Sequence, residues 1–258
     1  MIRIRRHFEC CTAFLLALTG TVSVRAQTDP APAEKKPSWT GSMALGFTLT
    51  SGNSDTTLAT LTGAADHKWG KNELSLSGDG AYGQSKVNPA TNTTTTAEFL
   101  RGSIQYNRLF TERLYGYARV EGRHDGVADI RYRVTLSPGI GYYFIKAEHT
   151  DLSAEVGPGY VFEQLGDDSR NYATLRVAEK FNQTLSDRAR LWQSVEWLPQ
   201  VDDFNNYVIN GQIGIEADLT KDKRFTLRTY VQDTFNNEPA PGRKQNDLGW
   251  ITAVAYKF

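Results

Sequence analysis

A hydrolytic site needs a nucleophile, a base and an orienting acid within hydrogen-bond reach of one another, and in this chain the base is the scarce part. Of its four histidines, His7 lies in an arginine-rich N-terminal segment, which leaves His67, His124 and His149. His124 is followed by Asp125 and, if the chain turns back on itself near Thr111 and Glu112, lies about opposite Glu98. No serine falls at matching parity on the flanking segments, so the constellation lacks a nucleophile. There is no Gly-x-Ser-x-Gly, no His-x-x-His and no calcium-type Asp loop. Asp125, Asp167-Asp168 and Asp202-Asp203 could hold divalent cations that bridge phosphates, but solvated loop charge is the simpler reading. The expectation is a protein without catalytic residue, resident metal or cofactor.

Ionic chemistry is better represented. Charged and phenolic side chains recur at alternate positions: Arg101; Tyr115, Tyr117, Arg119, Glu121 and Arg123; Arg131, Arg133 and Tyr143; Glu155 and Glu163; Arg176 and Lys180; Glu196; Glu216; Arg228 and Tyr230. The positions between them are mostly apolar or small. A period of two is the period of a β-strand, whose successive side chains point to opposite faces. Strands with one charged face and one apolar face, repeated many times, are satisfied by a closed barrel in a membrane, with lipid outside and a polar lumen within. Shifting the fifth strand by one residue would put Arg119 into hydrocarbon, at about 2–4 kcal/mol near the midplane, so the register is specified. Acids and bases are nearly matched inward. The expectation is a mutually paired, narrow or side-chain-filled lumen without strong ion selectivity.

The final stretch, LGWITAVAYKF from Leu248 to Phe258, shows the alternation most clearly. Leu248, Trp250, Val254, Tyr256 and Phe258 share a face, while Gly249, Ala253, Ala255 and Lys257 share the other. It resembles the closing strand of bacterial outer-membrane barrels, and that resemblance makes Trp250, Val254, Tyr256 and Phe258 a recognition signal for the barrel-assembly machinery.

With 258 residues, 22 glycines and a mean hydropathy of −0.47, the chain has no apolar run of about eighteen residues beyond its N-terminus. A helical membrane protein is therefore excluded, whereas a barrel, which needs apolar residues only at alternate positions, is not. Arg3, Arg5 and Arg6 precede an apolar core at Phe14–Leu18, and Val24-Arg25-Ala26 offers small residues to a signal peptidase. Residues 1–26 read as a signal peptide cleaved after Ala26. Both cysteines, Cys10 and Cys11, leave with it, and the rest of the chain holds no thiol for a disulfide or a metal. Loss of four arginines against Glu9 leaves a slight acidic excess, so no nucleic-acid partner is expected. Residues 27–38, QTDPAPAEKKPS, have nothing to bury and read as a disordered periplasmic tail.

From Trp39 to Phe258 about twelve antiparallel strands follow, all-β, with both chain ends on the periplasmic side. Connections at Thr111–Arg113, Lys146–Thr150, Ser186–Arg188 and Thr220–Arg224 are compact; those at His124–Ile130, Gln164–Asn171, Pro199–Asn206 and Asn236–Asp247 are mostly longer. That alternation fits short periplasmic turns and longer outer loops. Pro138 and Pro158 fall at outward positions inside two strands, where a bulge or a missing ladder bond is expected.

Several segments in order resemble one family. They are the opening Trp-x-Gly with Ser51-Gly52-Asn53-Ser54-Asp55, Asp125 with Asp129–Arg131, Gly139-Ile140-Gly141-Tyr142, Trp197-Leu198-Pro199 with Asn206-Tyr207, and Asp247–Phe258. Together they resemble the YdiY-like family of salt-induced outer-membrane proteins, a domain of unknown function. The resemblance implies an outer-membrane barrel of envelope-stress type, with outer-membrane lipids and lipopolysaccharide as its surroundings. A passive porin-like channel is the alternative, and a lipid-modifying barrel enzyme a distant one.

Overall fold

The computed structural model describes residues 39–50, 54–87, 93–239 and 242–258. The expected signal peptide and tail lie outside the described residues. Twelve strands follow one another: β1 (Trp39–Thr50), β2 (Ser54–Trp69), β3 (Asn72–Val87), β4 (Thr93–Leu109), β5 (Leu114–Asp125), β6 (Ile130–Lys146), β7 (Thr150–Leu165), β8 (Asp168–Ser186), β9 (Ala189–Pro199), β10 (Tyr207–Asp218), β11 (Phe225–Asn236) and β12 (Asn246–Lys257). Each pairs antiparallel with its neighbour in sequence, and β1 pairs with β12, so the sheet closes on itself. At the seam Gly41 and Phe258 exchange two backbone hydrogen bonds of 3.0 Å. Closure leaves no unpaired edge, which a sheet in hydrocarbon requires.

The distribution of side chains is inverted relative to a water-soluble domain. Glu155, Glu163, Arg176, Glu216 and Gln105 are buried, while Leu45, Phe47, Leu100, Ile140, Leu248 and Trp250 are exposed, Trp250 to 78%. Alternation puts the first set inside the ring and the second outside. Two bands of outward aromatic residues bracket this surface. At the end that carries Trp39 and Phe258, Trp39, His67 and Trp69 stack in succession at 4.8 and 5.0 Å, and Phe225 meets Tyr256 at 5.4 Å. At the other end Tyr160 meets Phe162 and Tyr207 stacks on Phe235. Amphipathic rings at two levels are what a bilayer's two interfaces select.

Three expectations need correction. The connection expected at Gln164–Asn171 is reduced to Gly166 and Asp167, because β7 and β8 stay paired from Leu165↔Asp168 downward. Gly166 takes φ 59° there, and its N–H donates to the Asp129 carbonyl at 2.8 Å. His124 lies opposite Leu100 and not Glu98, since the turn before β5 sets Leu109 against Tyr115. Arg131, expected in the lumen, falls at a register shift between Ile130 and Tyr132; the bulge turns Ile130 inward and leaves the Arg131 side chain 58% exposed, 3.0 Å from Asp167.

The two prolines share a single defect. Leu136 pairs with Tyr160 and Ile140 with Val156 in one register, which sets Pro138 directly across from Pro158. The intervening positions, Ser137–Gly139 against Gly157–Gly159, make no ladder pairs. A Cβ on Gly157 would collide with the Pro138 carbonyl and lie 2.7 Å from the Gly139 Cα, so the strands approach unusually closely there.

Candidate functional site

Inside the ring a buried carboxylate draws donors from several strands. Glu155, on β7 and 3% exposed, accepts from Gln105 Nε2 of β4 at 2.8 Å, from the Tyr115 hydroxyl of β5 at 2.9 Å and from Arg176 NH1 of β8 at 2.8 Å. Lys180 Nζ stands 3.6 Å away. Arg176 turns its Nε to Glu196 of β9 at 2.5 Å, and Glu196 in turn accepts from Asn210 of β10. On the other flank Gln105 donates to Asn107, which reaches Glu73 of β3, and Glu73 also accepts from the Tyr143 hydroxyl. Every strand from β3 to β10 thus contributes a side chain to one connected network. A buried carboxylate between two strands would be costly alone, but here its lone pairs are taken up by donors from several sides.

Small residues make this filling possible. Gly139 and Gly141 face inward on β6, and any Cβ there would strike the Tyr117 and Tyr115 rings, respectively. Both tyrosines consequently lie flat against β6 and occupy the lumen; Arg176 sits over the Tyr117 ring at 5.2 Å. Beside them Arg119, Glu121, Ser137, Arg176 and Glu196 surround a void of about 10 Å³, room for roughly one water.

The remaining inward charges pair locally. Arg101 of β4 meets Asp79 of β3 at 2.9 Å, Arg119 meets Glu121 at 2.5 Å, and Arg123 meets Asp125 at 2.7 Å. Glu163 is shared by Arg133 and Arg170, at 2.5 and 2.6 Å. Towards the end that carries Trp39 and Phe258, Glu216 gathers Arg190, Arg228 and Lys257. Alternation along β3 and β4 places Glu73, Asp79 and Gln105 inside, while Arg170, Arg190 and Lys257 were not among the expected site residues; the partners of all six depend on register. His124 points outward, its Nδ1 at 2.9 Å from the Arg131 carbonyl, whereas Asp125 is buried on the inner face. The two residues are not brought together as a base and its orienting acid. Among the described residues no group of three or more His, Cys, Asp or Glu could hold a metal ion.

Residues 43–258 match the family model described as Protein of unknown function, DUF481. The chain belongs to the DUF481 family. This DUF481 barrel resembles the NanC porin, with a TM-score of 0.51 and 7% identity over 85% of this chain and all of the porin. It also resembles an outer-membrane channel from Pseudomonas putida F1, with a TM-score of 0.48 and 11% identity over 90% of this chain and all of the channel. The translocator domain of the autotransporter NalP from Neisseria meningitidis matches with a TM-score of 0.45 and 14% identity, over 84% and 87% of the two chains. At such identities the likeness concerns the fold. No curated protein is similar in sequence at a significant level. In this DUF481 chain, then, the distinctive chemistry is a lumen whose middle is occupied by its own ion-paired and hydrogen-bonded side chains.

Proposed function

We propose that the chain is a non-enzymatic outer-membrane barrel of envelope-stress type whose lumen is closed by its own side chains. The observation that carries this reading is the Glu155–Arg176–Glu196 network, which together with Tyr115 and Tyr117 fills the ring at mid-height. Barrels of about eight strands are filled by side chains and those of sixteen or more leave an aqueous channel, so at twelve the side chains decide. In this reading the termini and short turns face the periplasm, the apolar band meets outer-membrane lipid, and lipopolysaccharide surrounds the opposite rim. The barrel-assembly machinery would recognise the outward row Trp250, Val254, Tyr256 and Phe258. An envelope-stress role, which rests on the family resemblance, requires that the protein's level rise when external salt is raised. An absence of lipid hydrolysis fits the opposed orientations of His124 and Asp125.

A passive small-solute channel is the second reading, favoured by the likeness to a porin over that porin's whole length. Planar-bilayer recording separates the two. The purified barrel is expected to show little or no conductance, rising when Tyr117 and Arg176 are both replaced by alanine. A large, stable conductance of the unaltered protein would replace the closed barrel with the channel.

A further inference from the structure

A second cavity lies above the filled level, at the end away from Trp39 and Phe258. It encloses about 220 Å³ and is lined from one side by Arg123, Ile130 and Arg133, and from the other by Arg243, Lys244 and Asp247. These two sets come from the β5–β6 and β11–β12 hairpins, which stand on opposite sides of the closed ring. The described part of the β11–β12 connection thus contributes Pro239, Gly242, Arg243 and Lys244 to the wall of the mouth. Its near end is held by Asn237, whose N–H donates to the Tyr207 carbonyl at 3.0 Å, and by Asn236, whose N–H donates to the Gln245 carbonyl at 2.8 Å.

The charge of this cavity is unbalanced. Arg123 is matched by Asp125, but Arg133 shares the single Glu163 carboxylate with Arg170. Among the described residues Arg243 and Lys244 have no carboxylate partner, and Asp247 is the one acid in the lining. Elsewhere in the lumen each inward arginine has an acid, although Arg190, Arg228 and Lys257 share Glu216; at the mouth Arg243 and Lys244 add cations that have no such partner among the described residues. Cations gathered in a concave, partly desolvated site attract anions more strongly than the same charges on an open surface. The volume exceeds that of an isolated ion several-fold, since a water takes about 30 Å³. Val127, Ala128 and Pro239 supply an apolar wall, and Thr234 and Asn236 supply hydrogen-bonding groups beside it.

We infer that this mouth is a binding site for a phosphate group carried on a sugar-sized body. Arginine forks match phosphate oxygens in pairs, a lysine adds point charge, and the apolar wall takes the face of a ring. The site stands apart from the question of conduction, because it lies above the filled level and opens to the outside. Two sources offer this chemistry: a soluble sugar phosphate and the phosphorylated sugar head of lipopolysaccharide.

The test uses the whole purified barrel in detergent, titrated calorimetrically with glucose 6-phosphate, inorganic phosphate and glucose. Saturable binding of glucose 6-phosphate, weaker binding of phosphate and none of glucose are expected. The double variant Arg243→Ala/Lys244→Ala should weaken glucose 6-phosphate binding at least tenfold while keeping its heat-shifted electrophoretic mobility, since both residues are exposed and unpaired. No saturable binding by the unaltered protein, equal binding of glucose, or an unchanged affinity of the double variant would each overturn the proposal. Repeating the titration in vesicles with and without lipopolysaccharide identifies the source. Loss of glucose 6-phosphate binding when lipopolysaccharide is present assigns the site to the lipid, and retained binding assigns it to the soluble ligand.

Discussion

Arg176 shows what a single side chain does in this lumen. It is 2% exposed and joins two carboxylates through different nitrogens, NH1 to Glu155 and Nε to Glu196. Removing one partner of a buried ion pair costs about 3–5 kcal/mol, because the other charge is left buried without compensation. Arg176→Ala takes the nearest cation from both carboxylates, though Glu155 keeps Gln105, Tyr115 and Lys180 and Glu196 keeps Asn210, so a loss towards the lower end of this range is expected in urea or thermal unfolding of the detergent-solubilised barrel. Arg176→Lys keeps the charge but offers one compact ammonium in place of a planar fork, so it should recover part of that loss and not all of it. If the alanine variant unfolds at the same midpoint as the parent, the network is hydrated and contributes little. Alternation along β8 already placed Arg176 inside the ring. What it could not supply was the pairing, since Glu155 and Glu196 come from strands on either side and only the register tells which arginine meets which acid.

At the scale of the strand, the close approach of β6 and β7 is the feature most exposed to substitution. Gly157→Ala drives a methyl into the Pro138 carbonyl, and overpacking of this kind costs about 1–3 kcal/mol. Gly122→Ala, on β5 with no atom within 4 Å of the added methyl, is the matched control; it should stay within about 0.5 kcal/mol of the parent. Comparable stability of the two variants, measured in the same unfolding experiment, would mean that the strands separate without penalty. The two prolines were legible as trouble in the sequence, each expected to carry its own bulge or lost bond. That they face each other and share one gap was not legible, because it depends on the pairing of β6 with β7. Arg131 failed for a related reason: alternation continues until a bulge resets it, and the register shift between Ile130 and Tyr132, just after the positive-φ Asp129, could not be read from alternation. Next to the Gly166–Asp167 turn, Asp168 and Asn171, which suggested a long loop, are instead strand residues of a hairpin paired to its tip.

At the scale of the whole molecule, strand number and inverted polarity were readable from the start, because a period of two with one apolar face leaves few architectures. The filled lumen was readable only as a balance of charge, and the cation-rich mouth not at all, since it joins hairpins far apart in sequence. Phe258 and Gly41, tied by reciprocal backbone bonds, close the ring with the same antiparallel pairing as the other strand junctions, though over only four ladder pairs, Ser42↔Lys257 to Leu45↔Val254. A ring has no first member. A circular permutant that joins Phe258 to Trp39 through a short flexible linker and opens the chain between Trp69 and Gly70 should therefore still refold in detergent to a heat-modifiable barrel. On the proposal that the assembly machinery recognises the last-synthesised strand, the same permutant is expected to insert less in cells, and Trp69→Phe should restore part of the yield. Failure to refold in detergent would mean that closure depends on the order in which strands join. Equal insertion in cells would mean that the terminal phenylalanine is only one more residue of the wall, and that the address is read from elsewhere on the ring.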